Sequence, residues 1–291
     1  MPSLKEIRSR IVSVNSTMQI TSAMKMVSAA KLRRAQDAIL QMRPYAQKLQ
    51  EVLSNVSASL ESDAEGSTFG RQREVKRVLV VAITSNRGLC GAFNNNVIKE
   101  CKAISEAHAG AEIKVLSLGK KAFDNFRKGD THYTEGFSAT PYQIFDQLTF
   151  QNASGIANEI MNQFADGRFD LVYVVYNQFK NAAMQVVKRE QYLPVQPPTD
   201  AKAAKADYIY EPGKDQILTE LIPRSLKVQL YKALLDSNAS EHGARMTAMH
   251  KATDNASDIK KELSLVYNKA RQASITKEIL EIVGGAEALN G

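Results

Sequence analysis

Few residues of this 291-residue chain are placed where they could do chemistry. Gly88-Leu89-Cys90-Gly91 follows an apolar run and precedes a helical pattern, where a phosphate-binding turn would sit. A dinucleotide fingerprint needs Gly-x-Gly-x-x-Gly, and Asn86 stands where its first glycine belongs. Gly119-Lys120-Lys121 lacks both the upstream glycine and the following Ser or Thr of a P-loop. The first turn therefore reads as a tight strand-to-helix joint. Cys90 at the helix start could carry a stabilised thiolate, but a small packed thiol is the preferred reading. His108, His132, His242 and His250 have no metal-ligand spacing, and the last two read as solvated or contact residues of a long helix. No Ser-His-Asp or paired-carboxylate arrangement can be argued. The expectation is a non-catalytic chain without cofactor or metal.

Composition narrows the class. A hydrophobic content of 44% is enough for a proper core, in one large domain or two ordinary ones. No apolar run reaches the roughly 18 residues that would cross a bilayer, and the N-terminus has no continuous apolar signal core. Two cysteines, Cys90 and Cys101, are too few for a disulfide-stapled scaffold, which favours a reduced cytoplasmic setting. The net charge of +7 is concentrated in residues 1–50, where nine Lys and Arg face only Glu6 and Asp37. Such a basic helix is either a solvated face or a surface for an acidic partner: nucleic acid, anionic lipid or a carboxylate-rich protein. Nucleic acid is disfavoured because no aromatic accompanies these charges before Tyr45.

The elements that must position these residues begin with two helices. Leu4, Ile7, Ile11, Val14 and Met18 step by three and four, and the rhythm resumes at Leu32, Ala35, Ile39, Met42, Ala46, Leu49, Leu53, Val56 and Leu60. Thr21, Lys25 and Ser28 hold the phase between them. Met249, Ala252, Ala256, Ile259, Leu263, Val266, Ala270 and Ala273 repeat the alternation near the other end. Two such seams predict an antiparallel coiled coil. Ser3 and Glu6 fit a capping box, and Pro44 and Pro223 predict kinks rather than ends.

Between the helices the grammar is that of an α/β domain. Residues 61–74 read as a linker; 77–84, 112–118 and 169–176 as buried strands; 182–190 as a paired edge strand across a turn at 177–181. Helices are expected to about residue 108 after the joint, over 120–127 and over 154–166, with 129–142 irregular and 194–206 a loop. The fold class is α/β: a long coiled coil of N- and C-terminal helices with an inserted small Rossmann-like domain, its sheet largely parallel with one antiparallel edge. The boundaries are 1–60 and 213–291 for the helices, forming one discontinuous unit, and 75–212 for the globular domain.

Length then makes a geometric point. If residue 60 lies near residue 215, Leu4 falls opposite about residue 271, and the last twenty or so residues project alone by about 30 Å. Ile275, Ile279, Leu280, Ile282, Val283, Ala286 and Leu289 lie around the whole circumference of that end. A helix apolar all round is enclosed by protein or lipid, and its Lys277, Glu278, Glu281 and Glu287 argue against lipid. This chain has no spare segment to build the socket, so other subunits must.

Several stretches resemble one family. Ile275-Thr276-x-Glu278-x-x-Glu281-x-x-x-Gly285-Ala286-x-Ala288 is similar to the C-terminal signature of the gamma subunits of F-type ATP synthases. So are Ala244-Arg245-Met246-x-Ala248-Met249, Ala252-Thr253-Asp254-Asn255-Ala256 and the run from Val266 to Thr276. Ile7-Arg8-Ser9-Arg10-Ile11, Ile20-Thr21-x-Ala23-Met24-x-Met26-Val27, Arg87-Gly88-Leu89-Cys90-Gly91 and Tyr208-x-Tyr210-Glu211-Pro212 match the same family. The resemblance spans the chain.

It implies a central rotor shaft inside a hexamer of alternating alpha and beta subunits, its globular foot on the membrane c ring beside epsilon. Carried over by position, Met24, Arg245, Gln272, Thr276 and Glu278 would couple rotation to the catalytic beta subunits. Ile275, Ile279, Ile282 and Val283 would form the C-terminal bearing, and Tyr208, Tyr210 and Glu211 would touch the c ring and epsilon. The chloroplast-type cysteine insertion and a mitochondrial presequence are absent, so a bacterial protein, peripheral on the cytoplasmic side of the inner membrane, is expected. The competing expectations are a coiled-coil nucleic-acid-associated protein with a hinge domain and a nucleotide-binding enzyme built on the α/β insert.

Overall fold

The structure is a computed structural model that describes residues 3–58, 69–137, 140–195 and 214–290. Helix α1 (Leu4–Ala58) opens the chain and helix α5 (Lys214–Asn290) closes it. Between them lie β1 (Arg77–Ile83), α2 (Phe93–Ala107), β2 (Glu112–Leu118), α3 (Lys120–Phe126), a 3-10 turn at Pro141–Asp146, α4 (Phe150–Ala165), β3 (Leu171–Phe179) and β4 (Gln185–Leu193). Pro44 and Pro223 lie inside continuous helices, each near the end that adjoins the α/β segment. The chain forms two compact units, Met1–Ser28 with Met246–Gly291, and Ala29–Arg245. The division thus falls within the two long helices: the inner half of α5 packs on the sheet, and the inner half of α1 reaches β3 through Arg43, which donates to Phe179 O at 3.4 Å.

In the Ala29–Arg245 unit the strand order is β2-β1-β3-β4. β1 is parallel to both β2 and β3, with Val80 beside Val115 and Tyr173, and β4 runs antiparallel to β3. Near-continuous apolar strands bury both faces, as a parallel sheet requires. One face, through Leu79, Val81 and Ile83, packs against Ile160 and Phe164 of α4 and against Leu230 and Leu234 of α5. The other, through Val78, Val80 and Ala82, packs against Val97, Cys101 and Ile104 of α2 and Phe126 of α3.

Several boundaries differ from the sequence reading: β3 begins at Leu171 rather than 169, and β4 runs Gln185–Leu193 rather than 182–190. Helix α4 starts at Phe150 because Thr149 Oγ1 accepts from Asn152 N at 3.3 Å, a side-chain N-cap. β3 runs on to Phe179, so the hairpin turn falls at 180–184 rather than 177–181. Asn177 is a strand residue whose buried amide donates to Phe93 O at 3.2 Å. The turn is made by Asn181, whose Oδ1 accepts from Ala183 N and Met184 N at 3.0 and 2.7 Å.

In the other unit α1 and α5 run antiparallel. Thr253 Oγ1 donates to Thr21 Oγ1 at 2.8 Å, Lys260 Nζ to Asn15 Oδ1 at 2.8 Å, and Lys25 Nζ lies 3.3 Å from His250 Nδ1. Extending the Asn15–Lys260 register eleven residues puts Leu4 opposite residue 271, as the length argument required. Ser3 caps α1 by accepting from Glu6 N at 3.2 Å, but the Glu6 carboxylate turns to Arg10 instead of closing the box.

The α1 seam is as expected: Ile7, Thr21 and Ser28 are buried and the intervening seam positions half-buried. The polar members bond inward, Thr21 Oγ1 to Met18 O and Ser28 Oγ to Met24 O. The α5 seam keeps Met249, Ala252, Ala256, Leu263 and Ala270 of the sequence reading and departs from it at Ile259, Val266 and Ala273. Met249 and Ala256 are buried, but Ile259 and Val266 are 46% and 49% exposed. Thr253, Lys260, Tyr267 and Ser274 take the half-buried places. The hydrogen bonds of Thr253 and Lys260 to Thr21 and Asn15 explain the first two of these, since half-buried polar groups on α1 need partners.

Candidate functional site

In a doubly wound sheet a ligand would lie where the strand order reverses, at the carboxyl ends of β1 and β3. Here α5 occupies that place. Ser240 Oγ donates to Asn177 O of β3 at 2.9 Å, and Gly243 comes so close to Ala182 that an added Cβ would lie 3.2 Å from its carbonyl oxygen. Arg245 donates from Nη2 to Arg87 O at 3.0 Å and to Gly88 O at 3.2 Å, and from Nε to Gly88 O at 3.3 Å. A guanidinium thus sits where a phosphate-binding loop would face its ligand, and it faces carbonyl oxygens instead. Carbonyls turned inward repel an anion, so the joint is built for a cation of its own chain.

The joint itself is closed by side chains. Asn94 accepts from Ser85 N at 3.0 Å and donates to Ser85 Oγ and to Cys90 Sγ, at 2.9 and 3.1 Å. Cys90 is buried, and burial pushes its thiol up despite the nearby Ser85 and Arg245. It is a packed thiol, not a nucleophile. Cys101, on the sheet-facing side of α2, is pushed up to about 12 by burial. Among the described residues no group of three or more His, Cys, Asp or Glu could hold a metal ion.

His242 takes the contact alternative of the sequence reading: it is half-buried, and burial, with Arg245 and Lys31 adding repulsion, lowers it to about 4. His250 is exposed as expected, 3.4 Å from Asp254.

The residues proposed to meet partners fall in three places. Gln272, Thr276 and Glu278 share the exposed end of α5 with Ile275, Ile279, Ile282 and Val283, all solvent-facing. Thr276 Oγ1 donates to Gln272 O and Ser274 Oγ to Glu278, so their polar groups stay on the helix. Met24 is half-buried on α1. By the observed register it lies opposite about residue 251, roughly 30 Å along the helix from Gln272. Arg245 belongs to the other unit and is only 8% exposed, paired with Glu241 at 2.7 Å. Tyr208, Tyr210 and Glu211 lie outside the described residues.

Sequence reasoning missed Glu241, whose i,i+4 spacing to Arg245 was the available signal. It also missed the buried carboxylate of Asp236 and the half-buried Glu190 that repels it. Asp236 lies 3.9 Å from Arg43, and Glu190 accepts from Tyr176 OH at 2.6 Å. Asp236 stands in an apolar run of α5, which was a legible sign of a special environment.

A filled crevice and an uncovered apolar helix end define a class: a subunit that works through other chains rather than on a substrate. Comparison with known proteins agrees. A family model described as ATP synthase matches residues 3–289. The ATP synthase gamma chains of Flavobacterium johnsoniae and Cytophaga hutchinsonii are 60% and 52% identical, each match covering 100% of both chains. Among solved structures, a chain of the Tetrahymena thermophila mitochondrial ATP synthase central stalk and c ring matches with TM-score 0.58 and 27% identity, over 80% of this chain and 99% of that one. A chain of the Euglena gracilis mitochondrial ATP synthase in rotational state 3 shares the fold, with TM-score 0.66 and 21% identity over 98% and 94% of the two chains. This chain belongs to the ATP synthase gamma-chain family.

Proposed function

We propose that this chain is the central-stalk rotor of an F-type ATP synthase, coupling ion-driven rotation of a membrane c ring to ATP synthesis or hydrolysis in the beta subunits. The observation that carries this reading is the end of α5. Ile275, Ile279, Leu280, Ile282 and Val283 are all between 47% and 71% exposed on one helix. That much apolar surface needs a sleeve, and an apolar sleeve lets its contents turn because hydrophobic contacts are non-directional. The sleeve is the hexamer of alpha and beta subunits. Met24, Gln272, Thr276 and Glu278 face its beta subunits, and Arg245 belongs to the same coupling set. Tyr208, Tyr210 and Glu211 meet the c ring and epsilon.

The chain is not itself an enzyme; its own helix α5 fills the crevice at the carboxyl ends of β1 and β3. Among the described residues no helix is long and apolar enough to cross a membrane. Attachment is peripheral, through the c ring, on the cytoplasmic face of a bacterial inner membrane. The basic face of α1 meets carboxylate-rich beta-subunit loops by charge complementarity. The nucleic-acid reading has no support in the family assignment, and the α5 end gives it no use.

Affinity purification of the tagged full-length chain from its native host tests this. A complex with two nucleotide-binding subunits, at about three copies of each per copy of this chain, is expected. A monomer that binds duplex DNA with a steep salt dependence would overturn the proposal.

A further inference from the structure

The Arg87–Gly91 loop is held in a conformation it would not choose. Leu89 has φ 64°, in the left-handed region that disfavours a branched side chain, and its side chain is 64% exposed. Nothing in the packing of Leu89 itself compensates for that conformation. The restraint lies in the two residues before it. Arg87 O accepts from Ser85 Oγ at 2.6 Å and from Arg245 Nη2 at 3.0 Å, and Gly88 O accepts from Arg245 Nη2 and Nε. Glu241 Oε1 takes the remaining side of the fork, Nη1, at 2.7 Å. One buried guanidinium therefore ties two successive peptide carbonyls of a sheet-end loop to α5, and a carboxylate one turn back orients it. The fixed planar fork of Arg suits this geometry; a lysine ammonium would supply the charge but not the fork.

We infer that Arg245 is a positioning residue, a clamp that fixes the Arg87–Gly91 loop to α5 so that torque on the α/β unit reaches the helix without slip. This rests on the rotor reading for its purpose, but the clamp exists in the chain alone. It also gives Arg245 a different part in coupling from a direct charge contact with a partner. Its ends are occupied by its own chain, so it acts through the loop it holds.

Arg245→Lys separates the two roles because it keeps the cation. In the isolated full-length chain, backbone amide exchange over residues 86–91 should rise at least tenfold, on the order of the loss of one or two clamping hydrogen bonds. Exchange within β1 and β3 should not change. In the reconstituted complex, ions transported per ATP hydrolysed should fall about threefold while hydrolysis continues. Glu241→Gln, which keeps the shape of the pair, should move both readouts in the same direction by less. Unchanged exchange over 86–91 in both variants would overturn the clamp, whatever becomes of the rotor reading. A loosened loop with unaltered pumping per ATP would overturn its part in coupling. A wild-type chain that never assembles into a pumping complex would sink the rotor reading and leave the exchange result standing.

Discussion

The two compact units solve the problem of burial in opposite ways. In the Ala29–Arg245 unit the six residues Val78 to Ile83 are completely buried, and the sheet has helices on both faces. In the unit of Met1–Ser28 and Met246–Gly291, two helices share one narrow seam, several of whose members are polar. Large apolar side chains, among them Ile20, Met26 and Val27 on α1 and Leu265 on α5, point to solvent there. The first unit has a complete core; the second is half of a structure. Its low self-burial leaves apolar surface free, which the proposed rotor role would use against enclosing subunits.

The contrast is sharpest in the deepest core. Leu230→Ala should remove about 2–5 kcal/mol from the unfolding free energy of the isolated chain, because Leu230 is fully buried between α5 and the sheet. Chemical denaturation reads this directly, and a loss below about 1 kcal/mol would mean the unit is packed more loosely than its burial says.

The buried acid at the base of the helices gives the next effect. Asp236 is pushed up to about 6, chiefly by burial, with Lys232 and Arg43 pulling the other way. Its unfolded value is near 3.9, so its contribution is fully present below that value and is lost as pH rises through 6. Asp236→Asn, which cannot ionise, should therefore gain on the wild type between pH 4 and pH 8, by on the order of 1–3 kcal/mol. His242 changes stability in the opposite sense. It is lowered to about 4, so its stabilisation is lost as pH falls below about 6.5. Both forms keep His242, so their difference isolates Asp236. A difference independent of pH would show that Asp236 is already neutral or well solvated.

Smaller effects are expected in the two-helix unit. Lys260→Leu fills a half-buried seam position but removes the partner of Asn15, so the net change should stay within about 1 kcal/mol by thermal unfolding. A gain well beyond that would mean the polar seam sacrifices considerable stability for register. Ile282→Ser should be the least consequential for the isolated chain, within about 0.5 kcal/mol, because Ile282 is 71% exposed. In an assembled complex the same change should weaken retention of the chain. A large loss in isolation would mean the α5 end folds against something in this chain.

Most of the fold was legible because its signals are local. β1 followed from an apolar β-branched run ahead of turn residues, and the α1 seam from three- and four-residue steps. The register of the helix pair followed from counting, because helical rise is constant. What escaped depends on partners distant in sequence. Asn177 looked like a turn residue until Phe93 O supplied an acceptor for its amide. The α5 seam carries two adjacent candidate stripes, and no periodicity chooses between them; Asn15 and Thr21 on the other helix do.

The candidate site divides in the same way. The uncovered end of α5 was readable, since a helix apolar on every side announces an enclosure wherever it is placed. The clamp was not. Arg245 and Gly88 are 157 residues apart, and neither a helical arginine nor a glycine turn names its partner. By itself the sequence determined the α1 seam, the order of the strands, the length of α5 and the apolar character of its end, all set by repeating local geometry. Only the tertiary structure decided that α5 would fill the crevice at the sheet's end and that Arg245 would hold the loop there. Hydrogen bonds between remote groups depend on where the whole chain brings them, not on the order in which they were written.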